Sequence, residues 1–399
     1  MVQSFLETSE DMNVLYVSLA KGGSSKSLRV LLSELIKYDN FTPYVVFNTR
    51  SAAPSFESFL KSNEIQYSCI DFEFDIYPKV AGIKDLMFYL PRFFTNIYKN
   101  RIAIRQIVKL RNIFKFDLIH SNTSCFQVGF FSAKSCEIPH LWHFREYQDL
   151  DFSMTPIWSF PYLIRKSKSI RNFNIAITKG VFKHFDMQSS NSVVIYNGIE
   201  GADKLDKPDI VRKERFFLFA GNVTENKGIL EVLRAFAIFS RVHKDFTLRI
   251  AGSCNPTFQD TLMDEIVLLG IVDRVIFLGQ INDVYSQMKK STALIVASRF
   301  EAFGLITAEA MLNHCLVIGK DIGGTKEQLD NGVSKLGYEI GLRYKTVEDL
   351  ALQLCQVSEN GSNHYSEMID RAFYVVKELY HPKRYADQVV SLYRRILKK

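Results

Sequence analysis

Short β-branched apolar runs alternate with longer stretches of helical periodicity along nearly the whole chain, and this alternation leaves few folds open. Residues 13–18 (Asn-Val-Leu-Tyr-Val-Ser) have the length and composition of a strand. The turn Lys21-Gly22-Gly23-Ser24 follows. Leu28, Leu31, Leu32, Leu35 and Ile36 then recur at i, i+3, i+4, i+7 and i+8, one face of a helix. Further strands are expected at 44–48, 117–121, 140–143, 174–178 and 193–196, with helical stretches between them. After a charged, apolar-poor segment the pattern restarts. Strands are expected at 216–220, 247–251, 275–278, 293–297 and 316–318, and helices at 228–243, 258–269, 283–290, 305–314 and 326–329. Such alternation implies parallel sheets with helices on both faces, here twice in tandem. The expected architecture is α/β: two Rossmann-like doubly wound domains facing across a cleft. The boundaries read as 1–200, a linker at 201–215, a second domain at 216–380 and a final helix at 381–399 that crosses back to the first domain.

The 399 residues are enough for two domains, each able to bury its own core. Hydrophobic and charged fractions of 47% and 23% exclude a disordered chain, a collagen or a coiled-coil rod. The formal charge of +7 is too small to argue nucleic-acid binding from the total alone. Six cysteines, none in a C-x-x-C pair and all in apolar context, read as buried free thiols of a reducing compartment. No apolar run approaches the ~20 residues of a membrane-spanning helix, and no basic segment precedes the first apolar stretch as in a signal peptide.

Three strand–glycine-loop–helix segments carry the chemistry. In Ser298-Arg299-Phe300-Glu301-Ala302-Phe303-Gly304-Leu305 a strand ends at Ser298 and a helix opens near Gly304. The unpaired N–H groups and dipole of a helix opening suit a phosphate. Glu301 on the loop and Glu309 inside the helix can accept hydrogen bonds from hydroxyls of one ligand at two points. Against this stands the bland reading of two solvated charges. In Gly221-Asn222-Val223-Thr224-Glu225-Asn226-Lys227-Gly228 the lysine stands at a helix entrance, against the dipole preference, which suggests an anion between them. A plain surface lysine is the competing account. Gly22-Gly23 allows close backbone approach to a ligand, but matches neither G-x-G-x-x-G nor a P-loop.

Together these segments resemble the retaining glycosyltransferases of the family 4 type, which have the GT-B fold. The resemblance is carried most specifically by Glu301 and Glu309 eight residues apart, Phe303-Gly304, Glu309-Ala310-Met311, and Gly323-Gly324 with Glu327. Gly221…Lys227-Gly228, Gly22-Gly23, residues 194–199 and Trp142-His143-Phe144-Arg145-Glu146 support it. The resemblance implies that Glu309 binds the ribose of a nucleotide-sugar donor. It gives Glu301 the hydroxyls of the transferred sugar, aided by amides of Phe303, Gly304 and Leu305. Lys227 neutralises the departing diphosphate, Gly221 and Asn222 line the donor loop, Gly23 admits the diphosphate, and His143 lies near the reacting sugar. Two departures stand out. Asn222 occupies the place of an arginine usual in the family, with Arg145 and Arg299 as candidate replacements, and His314 and Leu316 stand where a Gly and a Pro are usual.

The implied reaction moves a hexose-type sugar from a nucleotide-diphosphate sugar, a UDP-sugar by family frequency, to an acceptor hydroxyl. No cofactor is expected and no metal: cation and helix dipole carry the leaving charge. Residues 79–115 hold nine Lys and Arg against one Asp, interleaved with Met87, Phe88, Tyr89, Leu90, Phe93 and Phe94. A basic helix with bulky apolar residues reads as a surface for anionic lipid. The expectation is therefore a lipid-linked glycan acceptor of cell-surface polysaccharide synthesis, with the protein cytoplasmic and peripheral on the inner membrane face. Nucleic acid is not expected. A nucleotide-sugar epimerase of the same fold and a non-catalytic partner subunit are the alternatives.

Overall fold

The structure is a computed structural model. It describes residues 11–78, 82–203 and 211–398. Lys79 and most of the expected linker (204–210) lie outside the described residues, as do the first ten residues of the chain. The fold divides into two compact units, one reaching Gly198 and including Pro382 onward, the other spanning Ile199–His381.

In the first unit the strands are β1 (Met12–Ser18), β2 (Phe41–Asn48), β3 (Gln66–Ile70), β4 (Ile76–Pro78), β5 (Leu118–Ser121), β6 (His140–Phe144), β7 (Met154–Pro156), β8 (Asn172–Ala176) and β9 (Ser192–Val194). Seven of them form a parallel sheet in the order β3-β2-β1-β5-β6-β8-β9, while β4 and β7 pair antiparallel on their own. The order reverses between β1 and β5, so the ligand crevice of this sheet belongs at their carboxyl ends. The strands lie in a buried layer, with Val14, Leu15, Tyr16, Val17, Leu118 and Ile119 all solvent-free. Runs such as Leu-Tyr-Val serve two buried faces at once, which is why they do not alternate with polar residues.

The last helix, Pro382–Leu397, belongs to this unit. Tyr385, Val389, Val390, Leu392, Tyr393 and Ile396 pack in one cluster with Val14, Tyr16, Leu28, Leu31 and Leu141. Apolar residues at spacings of three and four, with Arg384, Arg394 and Arg395 off that stripe, make the helix amphipathic and fix which face docks.

The second unit holds β10 (Phe216–Ala220), β11 (Thr247–Ala251), β12 (Val275–Gly279), β13 (Ala293–Val296), β14 (Val317–Lys320) and β15 (Leu342–Tyr344), all parallel, in the order β12-β11-β10-β13-β14-β15. Here the reversal falls between β10 and β13. Sequence periodicity placed β10 and β11 to the residue and the other three expected strands and four of the five expected helices of this unit within three residues, but along the chain it missed β3, β4, β7 and β15. Those are short strands: β3 and β15 close a sheet edge, and β4 and β7 pair off the main sheet, so neither pattern is imposed by two buried faces. The helix expected at 326–329 runs over Gly323–Leu336; the two glycines that open it depress its propensity and hide its start in the sequence.

Of the six cysteines, all are free; Cys125, Cys136 and Cys315 are buried, but Cys69 is exposed on edge strand β3 and Cys254 and Cys355 are half-buried. The expectation of six buried thiols is corrected to that extent. Among the described residues, no helix is long and apolar enough to cross a membrane, and no group of three or more His, Cys, Asp or Glu could hold a metal.

Candidate active site

Strands β10 and β13 are neighbours, Phe217 opposite Ala293 and Leu218 opposite Leu294. Each runs out into one of the glycine loops read from the sequence, so the two loops flank the reversal point of the second sheet. The backbone ties them together: Arg299 N–H donates to the Asn226 carbonyl at 2.9 Å. Gly228, at φ +74°, lets the lysine loop pass so near β13 that a Cβ there would lie 2.0 Å from the Ala297 carbonyl oxygen.

Within this frame Lys227 Nζ forms an ion pair with Glu301 Oε1, and Ser298 Oγ donates to the same carboxylate oxygen at 2.8 Å. Both side chains stay partly open to solvent. Lys227 ends a single turn of 3-10 helix, Glu225–Lys227, and the helix Ile229–Ser240 starts beyond Gly228. The ammonium therefore stands beside a helix opening and is balanced by a carboxylate from the other loop.

The Glu301 loop is pinned from a second side. Gly324 N–H donates to the Glu301 carbonyl at 2.6 Å, and Gln328 Nε2 reaches the carbonyls of Phe303 and Gly304. A Cβ on Gly324 would sit 2.4 Å from the Phe303 oxygen. Two helix openings thus meet at one loop: Leu305–Leu312, capped by Gly304 at φ +81°, and Gly323–Leu336. Their first N–H groups have no partners inside the helices and carry the positive ends of both dipoles. Glu309 lies on the first of these helices and is buried, 7% exposed, which removes the solvated-charge reading. Phe303 is buried, its ring edge-on to Tyr380 at 5.3 Å, and Leu305 is half-buried. Gly221 takes φ +132°; Asn222 is exposed and its Oδ1 accepts from Ser253 Oγ at 3.2 Å. The structure brings Gly221, Asn222, Lys227, Glu301, Phe303, Gly304, Leu305 and Glu309 together at one sheet edge. Arg299 pairs with Glu225 at 3.0 Å on the same loops.

The first unit departs from the sequence reading more. Gly23 is not a turn residue but the first residue of helix Gly23–Leu35, with Gly22 at φ +89° as its cap. The loop is held at the β1–β5 reversal by Asn122 Nδ2, which donates to Ser18 Oγ at 3.1 Å and to the Ser24 carbonyl at 2.9 Å.

His143 was expected beside the reacting sugar; it is instead fully buried. Side chains alternate along β6, so His143 shares a face with Leu141, the face covered by helix Pro382–Leu397. There Tyr16 and Tyr393 hydroxyls meet at 2.6 Å, Tyr393 meets His120 Nδ1 at 2.6 Å, and His120 Nε2 meets His143 Nδ1 at 3.2 Å. His143 Nε2 has no hydrogen-bond partner among the described residues. Burial, the Arg145 guanidinium and His120 hold its pKa well below the ordinary histidine value. Arg145 is spent in the same network. It donates to the Asn122 carbonyl and Oδ1, to Asn197 Oδ1 at 2.6 Å and to Tyr385 OH at 2.9 Å, so its guanidinium is engaged within the first unit.

His140, on the other face of β6, bonds Asn172 and Ser121 and is pushed down to about 4 by burial. A depressed histidine contributes stability above its unfolded pKa of ~6.5 that is lost as pH falls below it. His140→Gln should therefore lose less melting temperature than the native chain between pH 7 and pH 5 in parallel thermal melts.

The chain also contains one Asp-x-Asp, Asp149-Leu150-Asp151. Asp149 Oδ1 lies 3.0 Å from His184 Nε2 and Asp151 Oδ2 accepts from Tyr147 N–H at 2.8 Å, so both carboxylates are engaged locally.

Residues 202–374 match the family described as glycosyl transferases group 1. The chain is 30% identical over 190 residues to N-acetyl-alpha-D-glucosaminyl L-malate synthase of Bacillus anthracis, 47% of this chain and 48% of that protein. It is 27% identical over 172 residues to the O-antigen chain mannosyltransferase RfbU of Salmonella typhimurium, 42% of this chain and 46% of that one. These alignments span about half the length of the curated relatives. In fold the likeness is complete: the Anabaena protein HepE, solved with UDP and glucose, superposes with a TM-score of 0.74 at 17% identity, covering 96% of this chain and 100% of its own. WaaG, a glycosyltransferase involved in lipopolysaccharide biosynthesis, superposes at 0.62 with 13% identity, over 94% and 99%. The chain therefore has the GT-B fold of these solved structures, and its residues 202–374 match the glycosyl transferases group 1 family.

Proposed function

We propose that the chain transfers a hexose-type sugar, with retention of anomeric configuration and without a metal, from a nucleotide-diphosphate sugar to an acceptor hydroxyl. The observation that carries this reading is the Lys227–Glu301 pair between two helix openings at the reversal of the second sheet. In it a diphosphate takes the Lys227 ammonium and the helix amides, releasing Glu301 to accept from sugar hydroxyls. Buried Glu309 holds the ribose diol, where little water competes for its oxygens. Negative charge builds on the diphosphate as the bond to the anomeric carbon breaks, and a cation fixed in advance lowers that barrier. HepE has been solved with UDP and with UDP-glucose, which supports a UDP-sugar as donor. UDP should therefore raise the melting temperature of the protein in a nucleotide screen, since a ligand bound only by the folded state stabilises it. A screen in which no nucleoside diphosphate or nucleotide sugar shifts the melt sinks the proposal. Product analysis with and without an acceptor separates transfer from epimerisation.

The acceptor is proposed to be lipid-linked, met at an anionic membrane surface. Helix Ile83–Leu110 exposes Met87, Leu90, Phe94, Tyr98 and Ile102, spaced three or four residues apart and so stacked along one face. Arg92, Arg101, Arg105 and Lys109 are exposed on the same helix, whereas Lys99 is occupied by Asp71 and Glu73. Buried Ala103 and Ile107 pack the opposite side into the core. Binding to vesicles of anionic lipid should fall on Phe94→Ser with Met87→Ser, and with added salt. Unchanged vesicle binding by the double variant removes the membrane surface from the proposal.

A further inference from the structure

A chain of aromatic rings runs from helix Ile83–Leu110 to helix Phe160–Ser167 of the same unit. Exposed Phe94 meets Phe93 edge-on at 5.6 Å, Phe93 meets Trp158 at 4.9 Å, and Trp158 meets Tyr162 at 5.9 Å. Trp158 is 44% exposed, and the backbone that carries it is fixed. On one side Tyr89 OH donates to the Ile157 carbonyl at 2.7 Å, and β7, which ends at Pro156, pairs with β4. On the other, Ser159 takes φ +102°, a region that residues with a Cβ avoid, and its Oγ accepts from Tyr162 N–H as the cap of helix Phe160–Ser167. Structure on both sides holds this ring in the open.

Three cations stand around the far end of the ring chain. Lys166 Nζ lies over the rings of Phe130, Phe131 and Tyr162 at 5.5, 5.5 and 5.1 Å, and the Arg165 guanidinium over Tyr162 at 5.5 Å. Burial pushes the Tyr162 hydroxyl up while Arg165 and Lys134 pull it back, so Lys134 stands beside the same ring. Ring faces attract a cation without neutralising it. Among the described residues none of Lys134, Arg165 and Lys166 enters a salt bridge, whereas nearby Lys168 pairs with Asp186.

We propose that this cluster is a headgroup site for anionic phospholipid, in which Trp158 and Tyr162 sit at the boundary of water and lipid while Lys134, Arg165 and Lys166 take the phosphates. This rests on the membrane reading above. Two observations choose a lipid surface over other occupants. Through Phe93, Trp158 touches the strip that exposed Phe94 opens on helix Ile83–Leu110, so one apolar surface serves both elements. Three uncompensated cations also call for anions, which a neutral glycan stacked on the rings would not bring. Trp and Tyr suit such a boundary because each has an apolar body and a polar tip.

The chain has two tryptophans, and Trp142 is fully buried against Phe130, so a change in intrinsic emission on binding reports Trp158. The experiment titrates the full chain with vesicles of phosphatidylglycerol or of phosphatidylcholine, reading emission and co-sedimentation. Phosphatidylglycerol should move the emission to shorter wavelength and phosphatidylcholine should not. Trp158→Phe should abolish the shift. Lys134→Gln with Arg165→Gln, both exposed and so replaceable without loss of fold, should weaken binding roughly 25-fold, about fivefold for each cation at an anionic surface. Native binding with unmoved emission, an equal shift with phosphatidylcholine, or a double variant within about threefold of native affinity overturns the headgroup site and leaves the stripe on helix Ile83–Leu110 standing. A native chain that ignores phosphatidylglycerol vesicles sinks the membrane surface itself, so the two failures are distinguishable.

Discussion

Lys227→Ala lowers turnover by roughly 10²–10³-fold, the cost of one preorganised group at the leaving charge, with the melting curve of the unliganded protein little changed. The fold is spared because the side chain is partly solvent-exposed and its ion pair with Glu301 is of a kind that contributes ~0–1 kcal/mol. Catalysis is not spared, because the charge it meets grows only as the diphosphate departs. Lys227→Arg should recover part of the loss, since it restores the cation with a different shape. Steady-state kinetics on the three proteins, with UDP melts as a binding control, reads the effect. Equal kcat in native and Ala proteins would remove Lys227 from the mechanism.

Gly228→Ala strikes the same site through the backbone. Its φ of +74° costs a side-chain-bearing residue roughly 1–2 kcal/mol, and the new Cβ would lie 2.0 Å from the Ala297 carbonyl oxygen. That obstacle is backbone at the end of buried β13, so the lysine loop must lift instead, at roughly 1–3 kcal/mol more. The expected result is a melting temperature lower by roughly 5–15 °C and a loss of turnover at least as large as that of Lys227→Ala, because Lys227 is carried away from Glu301. Gly221→Ala, where a Cβ meets nothing within 4 Å, bears only the positive-φ strain and should be milder.

The glycine loops of the second unit were legible in the sequence because their information is local. A strand end, a glycine and a helix opening follow one another within about ten residues, as from Ser298 to Leu305, and the charge-bearing residue of each loop sits inside that span. The same holds for the sheet strands with two buried faces, whose apolar runs need no partner to be recognised. The burial of His143 was not legible because its reason lies elsewhere in the chain. Whether His143 faces ligand or interior depends on which face of β6 is covered, and the cover is Tyr385 and Tyr393, more than 240 residues later. Arg145 carries the same lesson: a lone arginine after a strand reads as a free cation until Asn122, Asn197 and Tyr385 converge on it.

By itself, then, the order of residues determined the α/β class, the two tandem units and the glycine loops with Lys227, Glu301 and Glu309, since hydrophobic period, backbone freedom and helix-end electrostatics act within a few residues. Tertiary structure alone decided that those loops meet at one reversal of strand order, that Lys227 pairs with Glu301, and that His143 is buried beneath the last helix. Those are contacts between segments far apart in the chain, and only packing chooses which face of a strand is buried and which side chain is left at the edge.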